Sequence, residues 1–173
     1  MVYVQHYESP LGDILLASDE TALICLWIEG GRFFAETLPA KCLQRETHVL
    51  AETKRWLDVY FSGEEPDFTP SLNPAGGEFR QAVWRLLLDI PYGQTTTYGA
   101  IADLLAKQRG VAKVSAQAVG GAVGRNEISL IIPCHRVVGA NGNLTGYGSG
   151  LNNKIKLLQL EGIDTSLFFL PKG

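Results

Sequence analysis

Residues 131–138 read Ile-Ile-Pro-Cys-His-Arg-Val-Val, so Pro133-Cys134-His135-Arg136 sets a sulfur nucleophile, an imidazole and a permanent cation in consecutive positions. The thiolate is the reactive form of cysteine, and a neighbouring base or positive charge favours it. Such a sulfur is suited to displacement at carbon, where a soft, ionised nucleophile is needed. A Cys-His pair alone identifies nothing, because cysteine is among the most buried side chains and usually only packs. Position singles out Cys134. The apolar run 130–132 predicts a buried strand, Pro133 has no N–H to continue its pairing, and the thiol falls just past the strand end, where a rigid scaffold can present it to a cleft. Consecutive extended side chains point apart, so His135 would reach the sulfur through a water.

The other cysteines are Cys25 and Cys42, which makes three in all with no Cys-x-x-Cys spacing. An odd count argues against a disulfide framework and against a cysteine-rich zinc site, and fits a reducing compartment. Cys25, inside the apolar run 22–28, reads as core, and Cys42 as incidental. His6 and His48 read as surface or core residues rather than ligands. No metal and no cofactor is expected.

Several elements must position the thiol. Residues 3–7, 12–17 and 23–28 are short runs rich in Val, Ile, Tyr and Leu separated by turn residues, and predict a small antiparallel sheet. Residues 47–61 carry Leu50, Trp56, Leu57, Tyr60 and Phe61 at helical spacing, with Trp56 as core. Residues 63–77 hold three prolines and three glycines and read as a linker, dividing the chain into domains 1–77 and 78–173. Beyond it, helices are predicted over 79–90, 98–106 after a capping threonine, 116–124 after Ser115, and 152–161. Asn141-Gly142 signals a hairpin between Val137-Val138 and Leu144-Thr145, the wing of a winged helix. The fold class is therefore α/β (α+β). Helix 116–124 is nearly bare: Ala116, Ala118, Gly120, Gly121, Ala122 and Gly124. Glycine weakens a helix by about 1 kcal/mol relative to alanine, so the composition implies close approach, either to another element of the core or to a DNA groove narrower than the ~12 Å major groove.

Net charge is −3, unpromising for a nucleic-acid binder until the chain is divided. Residues 1–77 carry five basic against twelve acidic residues, a net −7, and residues 78–173 carry ten against six, a net +4. The positive half is the one with Cys134, as a DNA-facing domain requires, although chance asymmetry would look the same. No stretch approaches the ~20 apolar residues of a membrane span, and the N-terminus lacks a basic region followed by an apolar run. The expectation is a soluble, cytoplasmic, monomeric protein without a membrane or obligate protein partner.

Pro-Cys-His-Arg-Val-Val, preceded by Gly120-Gly121 and Asn126 and followed by Gly146-Tyr147 and 157–162 Leu-Leu-Gln-Leu-Glu-Gly, resembles the O6-alkylguanine-DNA alkyltransferases, closely over the C-terminal half and loosely over the N-terminal half. The resemblance implies a ribonuclease H-like N-terminal domain, a winged helix-turn-helix C-terminal domain, and irreversible single-turnover transfer of an alkyl group from O6-alkylguanine in double-stranded DNA to Cys134. It implies that Glu161 holds His135 and that Asn126 organises the hinge before the active-site segment. The small residues of helix 116–124 (Ala116, Ala118, Gly120, Gly121), with Gln117, Arg125 and Arg136, would face DNA in the minor groove. The flipped base would meet Tyr98, the carbonyls of Cys134 and Val137, and the Gly148-Ser149 turn. Some relatives carry a zinc in the N-terminal domain, and no matching ligand set is present.

Two departures stand out. Gln117 replaces an arginine that in many relatives fills the gap left by the flipped base, and glutamine lacks the charge and the stacking plane of guanidinium. The stretch 107–114 is longer than in many relatives, and Lys107, Arg109 and Lys113 would add phosphate contacts in partial compensation. The rival readings are a lesion-binding protein without transfer, whose known forms lack the cysteine, a winged-helix regulator with a redox-sensing thiol, and a cysteine hydrolase, which would leave the bare helix unexplained.

Overall fold

Short apolar runs over the first thirty positions, rich in Val, Ile, Leu and Tyr and broken by turn residues, build a sheet. The structure, a computed structural model, describes residues 1–31, 34–144, 147 and 150–169. The chain divides into two compact units: Met1–Ala75 with Glu127–Ile131, and Gly76–Asn126 with the residues from Ile132 onward.

In the first unit, β1 (Tyr3–Ser9), β2 (Gly12–Ser18), β3 (Leu23–Ile28) and β4 (Leu43–Gln44) form a sheet in the order β3-β2-β1-β4. β1 and β2 are an antiparallel hairpin with Tyr3 opposite Ser18 and Ser9 opposite Gly12. The fourth strand, two residues paired in parallel with β1, is too short to leave a periodic signal. α1 (His48–Phe61) packs on β1, β2 and β3; its Thr47 cap accepts from the Leu50 N–H, and it buries Leu50, Trp56, Leu57 and Tyr60. Trp56 stacks on Tyr60 with ring centres 5.1 Å apart.

Residues 130–132 do not form the expected strand. Pairing occurs earlier, at Ile128 against Leu26 of β3, with the Leu26 N–H donating to Glu127 and the Ser129 N–H to Leu26. The chain then turns at Leu130, whose φ of 71° lies in the left-handed region. All three residues are buried. An apolar run reports burial, and burial alone does not separate a strand from a packed turn.

The second unit contains α2 (Glu78–Leu88), β5 (Thr96–Thr97), α3 (Tyr98–Arg109), α4 (Ala116–Gly124), β6 (Val137–Val138) and α5 (Leu151–Leu160). Thr97 and Ser115 cap α3 and α4 by accepting from the N–H groups of Ala100 and Ala118. α3 runs three residues past its expected end, to Arg109, and Gly110 closes it at φ 65°. Trp84 of α2 is buried and donates its indole N–H to the Ala122 carbonyl at 2.9 Å, fastening α4 to α2. The Asn141-Gly142 turn forms, with both residues at positive φ and the Gly139 N–H donating to Asn143. Its flanks pair elsewhere than expected. β6 lies parallel to β5, and Asn143 bridges Phe169. A Cβ on Gly142 would come within 2.7 Å of the Leu167 carbonyl, so only glycine fits there. Thr145, the last residue of the expected hairpin, lies outside the described residues.

Candidate active site

Cys134 opens a single 3₁₀ turn, Cys134–Arg136, between Pro133 and β6. Its N–H donates to Ile132 and its carbonyl accepts from the Val137 N–H, so the backbone around the sulfur is tied at both ends. The turn replaces the extended geometry expected after a strand end. Cys134 is 6% exposed. Asn126, just past α4, donates from Nδ2 to the Ile132 carbonyl at 2.7 Å and also hydrogen-bonds the thiol.

His135 is fully buried, and its Nε2 lies 2.5 Å from Oε2 of Glu161, which caps the end of α5. A carboxylate can only accept, so the imidazole proton sits on Nε2 and Nδ1 is the basic nitrogen. The other Glu161 oxygen accepts from Arg136 Nε at 2.8 Å and from the Gly93 N–H at 3.0 Å. That N–H comes from the Pro91-Tyr92-Gly93 turn after α2. Arg136 also donates to the Ile90 carbonyl at 2.8 Å and lies over the Tyr92 ring at 5.6 Å. Expected to face DNA, Arg136 is instead turned inward and committed to these partners.

Two residues beside the sulfur carry no assigned role in the sequence reading, Lys154 and the Tyr147 of the family motif. Lys154 of α5 is fully buried and donates from Nζ to the Val137 carbonyl at 2.6 Å. Tyr147 pulls the thiol toward its ionised form and meets the His135 ring edge-on at 6.5 Å. The available signal for Lys154 was its place on the apolar stripe of α5 with Leu157 and Leu158, where lysine is out of character.

Burial pushes the Cys134 thiol up, and Asn126, the Lys154 charge and Tyr147 pull it back toward thiolate. Burial likewise lowers His135, against the pull of Glu161, and keeps the ring a neutral base. Burial would raise Glu161, but the hydrogen bonds from His135, Arg136 and Gly93 overcome it and hold the carboxyl at about 2. Lys154 is pulled down to about 8 by burial, with the charge of Cys134 opposing.

The remaining expected site residues fall as follows. Tyr98, at the start of α3, is half-buried, and its ring lies 3.8 Å from where Gly120 would carry a Cβ. Ala116, Gln117, Ala118 and Gly121 are exposed on α4, Gly120 and Arg125 are partly so, and a Cβ at Gly121 or Gly124 would meet nothing within 4 Å. Close approach to a core element therefore does not account for those two glycines. Gly148 and Ser149 lie outside the described residues. Arg109 donates from one guanidinium nitrogen to both oxygens of Glu78, at 2.7 and 2.9 Å, whereas Lys107 in the last turn of α3 and Lys113 in the following turn form no ion pair with a described residue. Cys25 is core, with its thiol pushed to about 12 by burial. His6 and His48 pair with Asp13 and Glu52, and no group of three or more potential metal ligands occurs among the described residues.

A helix-turn-helix unit that holds a cysteine beside a neutral imidazole and a lysine defines the class of a DNA-binding domain fitted with its own nucleophile. The comparisons with known proteins agree. Residues 2–74 match the ribonuclease-like domain of 6-O-methylguanine DNA methyltransferase and residues 78–163 its DNA-binding domain. A methylated-DNA–protein-cysteine methyltransferase of Methanosarcina acetivorans is 47% identical over 93% of this chain and 99% of its own, and one of Mycobacterium leprae is 42% identical over 93% of each. Among solved structures, Mycobacterium tuberculosis OGT in complex with DNA aligns with a TM-score of 0.79 at 38% identity, covering 96% of this chain and 94% of that one. The chain belongs to the 6-O-methylguanine DNA methyltransferase family. No described helix is long and apolar enough to cross a membrane.

Proposed function

We propose that the chain repairs DNA by transferring the alkyl group of an O6-alkylguanine to Sγ of Cys134, once per molecule. The sulfur–carbon bond forms as the carbon–O6 bond breaks; the electron pair remains on the purine, which takes up a proton in place of the one the thiol gave up and is left as guanine. His135, held by Glu161 at 2.5 Å, is the base that draws the thiol proton through a water, and this pairing beside the buried thiol is the observation that carries the reading. Asn126 fixes the segment leading to the sulfur. A base inside a duplex cannot reach a buried thiol, so the nucleotide is flipped out at a cost of a few kcal/mol. Tyr98, the carbonyls of Cys134 and Val137, and Gly148-Ser149 receive it. The exposed small-residue face of α4 enters the minor groove, with Gln117 at the gap and Arg125 beside it.

Residues 1–77 support this domain. The compartment is the cytoplasm, because the reaction needs a reduced thiol and all three cysteines are free. Wild type mixed with excess O6-methylguanine duplex should gain one methyl group by intact mass and stop, while Cys134→Ala gains none. Sustained turnover would overturn the single use, and lesion binding without mass change would favour a non-catalytic binder.

A further inference from the structure

β6 pairs with β5 rather than with the strand that returns from the Asn141-Gly142 turn, and the partner of that return is the C-terminal segment. After α5, Asp164 caps a single 3₁₀ turn, Thr165–Leu167, by accepting from the Ser166 N–H at 3.0 Å, and Gln159 of α5 donates to the Thr165 hydroxyl at 3.0 Å. The turn directs the next residues along the wing. The Phe169 N–H donates to the Gly142 carbonyl at 3.0 Å, and its carbonyl accepts from the Leu144 N–H at 2.8 Å, the two bonds of a parallel bridge on Asn143. Leu167 and Phe169 are exposed, whereas Phe168 between them packs against the cluster of Val138, Leu144 and Leu158. The missing Cβ of Gly142 leaves the room that the Leu167 carbonyl and the Phe168 ring take up, at 2.7 and 3.4 Å from where it would stand.

This contact reaches the site in two steps. Val138 is the second residue of β6, which follows directly on the Cys134 turn and whose first residue, Val137, offers a carbonyl to the flipped base. β6 in turn pairs Val137 with Thr96 and Val138 with Thr97, the cap of α3, and so sets Tyr98 beside it. A strand of two residues does not hold itself in place, and packing on its flank must do so. We propose that residues 165–169 are a positioning segment of the transfer, with Phe168 as its anchor: they hold β6 so that the Val137 carbonyl and Tyr98 meet the flipped base together. The proposal rests on the alkyl-transfer reading.

The test compares full-length wild type, Phe168→Ala, Phe168→Leu and Phe169→Pro, with folding checked by circular dichroism. Proline removes the N–H that bonds Gly142, and Phe168, at φ −107° and ψ 159°, already has the extended geometry that a residue before proline adopts. Single-turnover methyl transfer at saturating lesion duplex should slow about tenfold in Phe168→Ala and Phe169→Pro, because misplaced base contacts spoil the attack geometry, while Phe168→Leu stays within about twofold of wild type. Affinity for unmodified duplex and the rate at which iodoacetamide alkylates Cys134 should not change, whereas a general loosening of the fold would speed the reaction of this buried thiol. Hydrogen exchange gives a readout without DNA: residues 136–144 should exchange faster in Phe168→Ala and Phe169→Pro, and α4 at the wild-type rate. A folded Phe168→Ala that transfers as fast as wild type, or whose exchange over 136–144 matches it, overturns the proposal, and Phe169→Pro decides in the same way if Phe168→Ala does not fold. A wild type that takes nothing from lesion duplex instead sinks the transfer reading, and the exchange comparison then settles by itself whether the segment holds β6.

Discussion

Glu161 joins the imidazole to the rest of the second unit, because one carboxylate accepts from His135, Arg136 and the Gly93 N–H. Removing its charge leaves the Arg136 guanidinium buried without a counter-ion, a change that typically costs about 3–5 kcal/mol. Glu161→Gln should therefore lower the melting temperature sharply as well as slow transfer, and calorimetry beside a single-turnover assay would separate the two losses. The same carboxyl links stability to acid. Its pKa in the folded chain is about 2 against an ordinary value of 4.5, so its contribution is complete above about 4.5 and is lost as pH falls from there toward 2. Wild type should lose stability over that window more steeply than Glu161→Gln, and parallel curves would count against the assignment. Cys134, His135 and Arg136 were legible because residue type and adjacency are themselves the signal. The inward turn of Arg136 was not, since its partners Ile90, Tyr92 and Glu161 are distant in sequence. Glu161 alone reads as an ordinary residue near a helix end, and only the family motif marked it.

α4 separates two meanings of a glycine-rich helix. A glycine kept for internal packing has atoms where a Cβ would go, as Gly142 does, whereas Gly121 has none within 4 Å. Gly121→Ala should accordingly stabilise the free protein by up to about 1 kcal/mol, since alanine is the better helix former and nothing obstructs it. Gly121→Leu should fold equally well and react normally with iodoacetamide, yet bind duplex at least about tenfold more weakly, because bulk on this face keeps the helix out of the narrow minor groove. Fluorescence anisotropy with unmodified duplex reads the difference, and undiminished affinity of Gly121→Leu would remove α4 from the interface. The helices were the legible elements: their apolar spacing and the caps Thr97 and Ser115 are local features, and α4 occupies the span its composition predicts. The segment 130–132 misled because it is buried without being a strand, and β4, β5 and β6, at two residues each, span a single strand period and leave no repeat to read.

A chain of net charge −3 can bind a polyanion only if its charge is segregated, and here the first 77 residues carry −7 and the rest +4. Between Asp103 and Glu127 there is no acidic residue, while Lys107 and Arg109 in the last turn of α3, Lys113 on the exposed turn that leads into α4, and Arg125 just past α4 all occur there. Arg109 is occupied by Glu78, whereas neither Lys107 nor Lys113 forms an ion pair or side-chain hydrogen bond with a described residue, so in the proposed binding mode these two lysines are the candidates to offset Gln117. Each lysine that neutralises a phosphate releases condensed counterions, and the logarithm of affinity then falls against the logarithm of salt with a slope of about −0.9 per contact. The Lys107→Gln/Lys113→Gln variant should therefore bind unmodified duplex more weakly at low salt, with a slope shallower by about 1–2 than that of wild type and a methyl-transfer rate at saturating DNA unchanged. Glu64→Gln/Glu65→Gln in the acidic linker is the control, and it should leave the slope alone because those carboxylates touch no phosphate. If the lysine variant and wild type give parallel salt plots, the turn makes no backbone contact and the protein manages with Gln117 uncompensated.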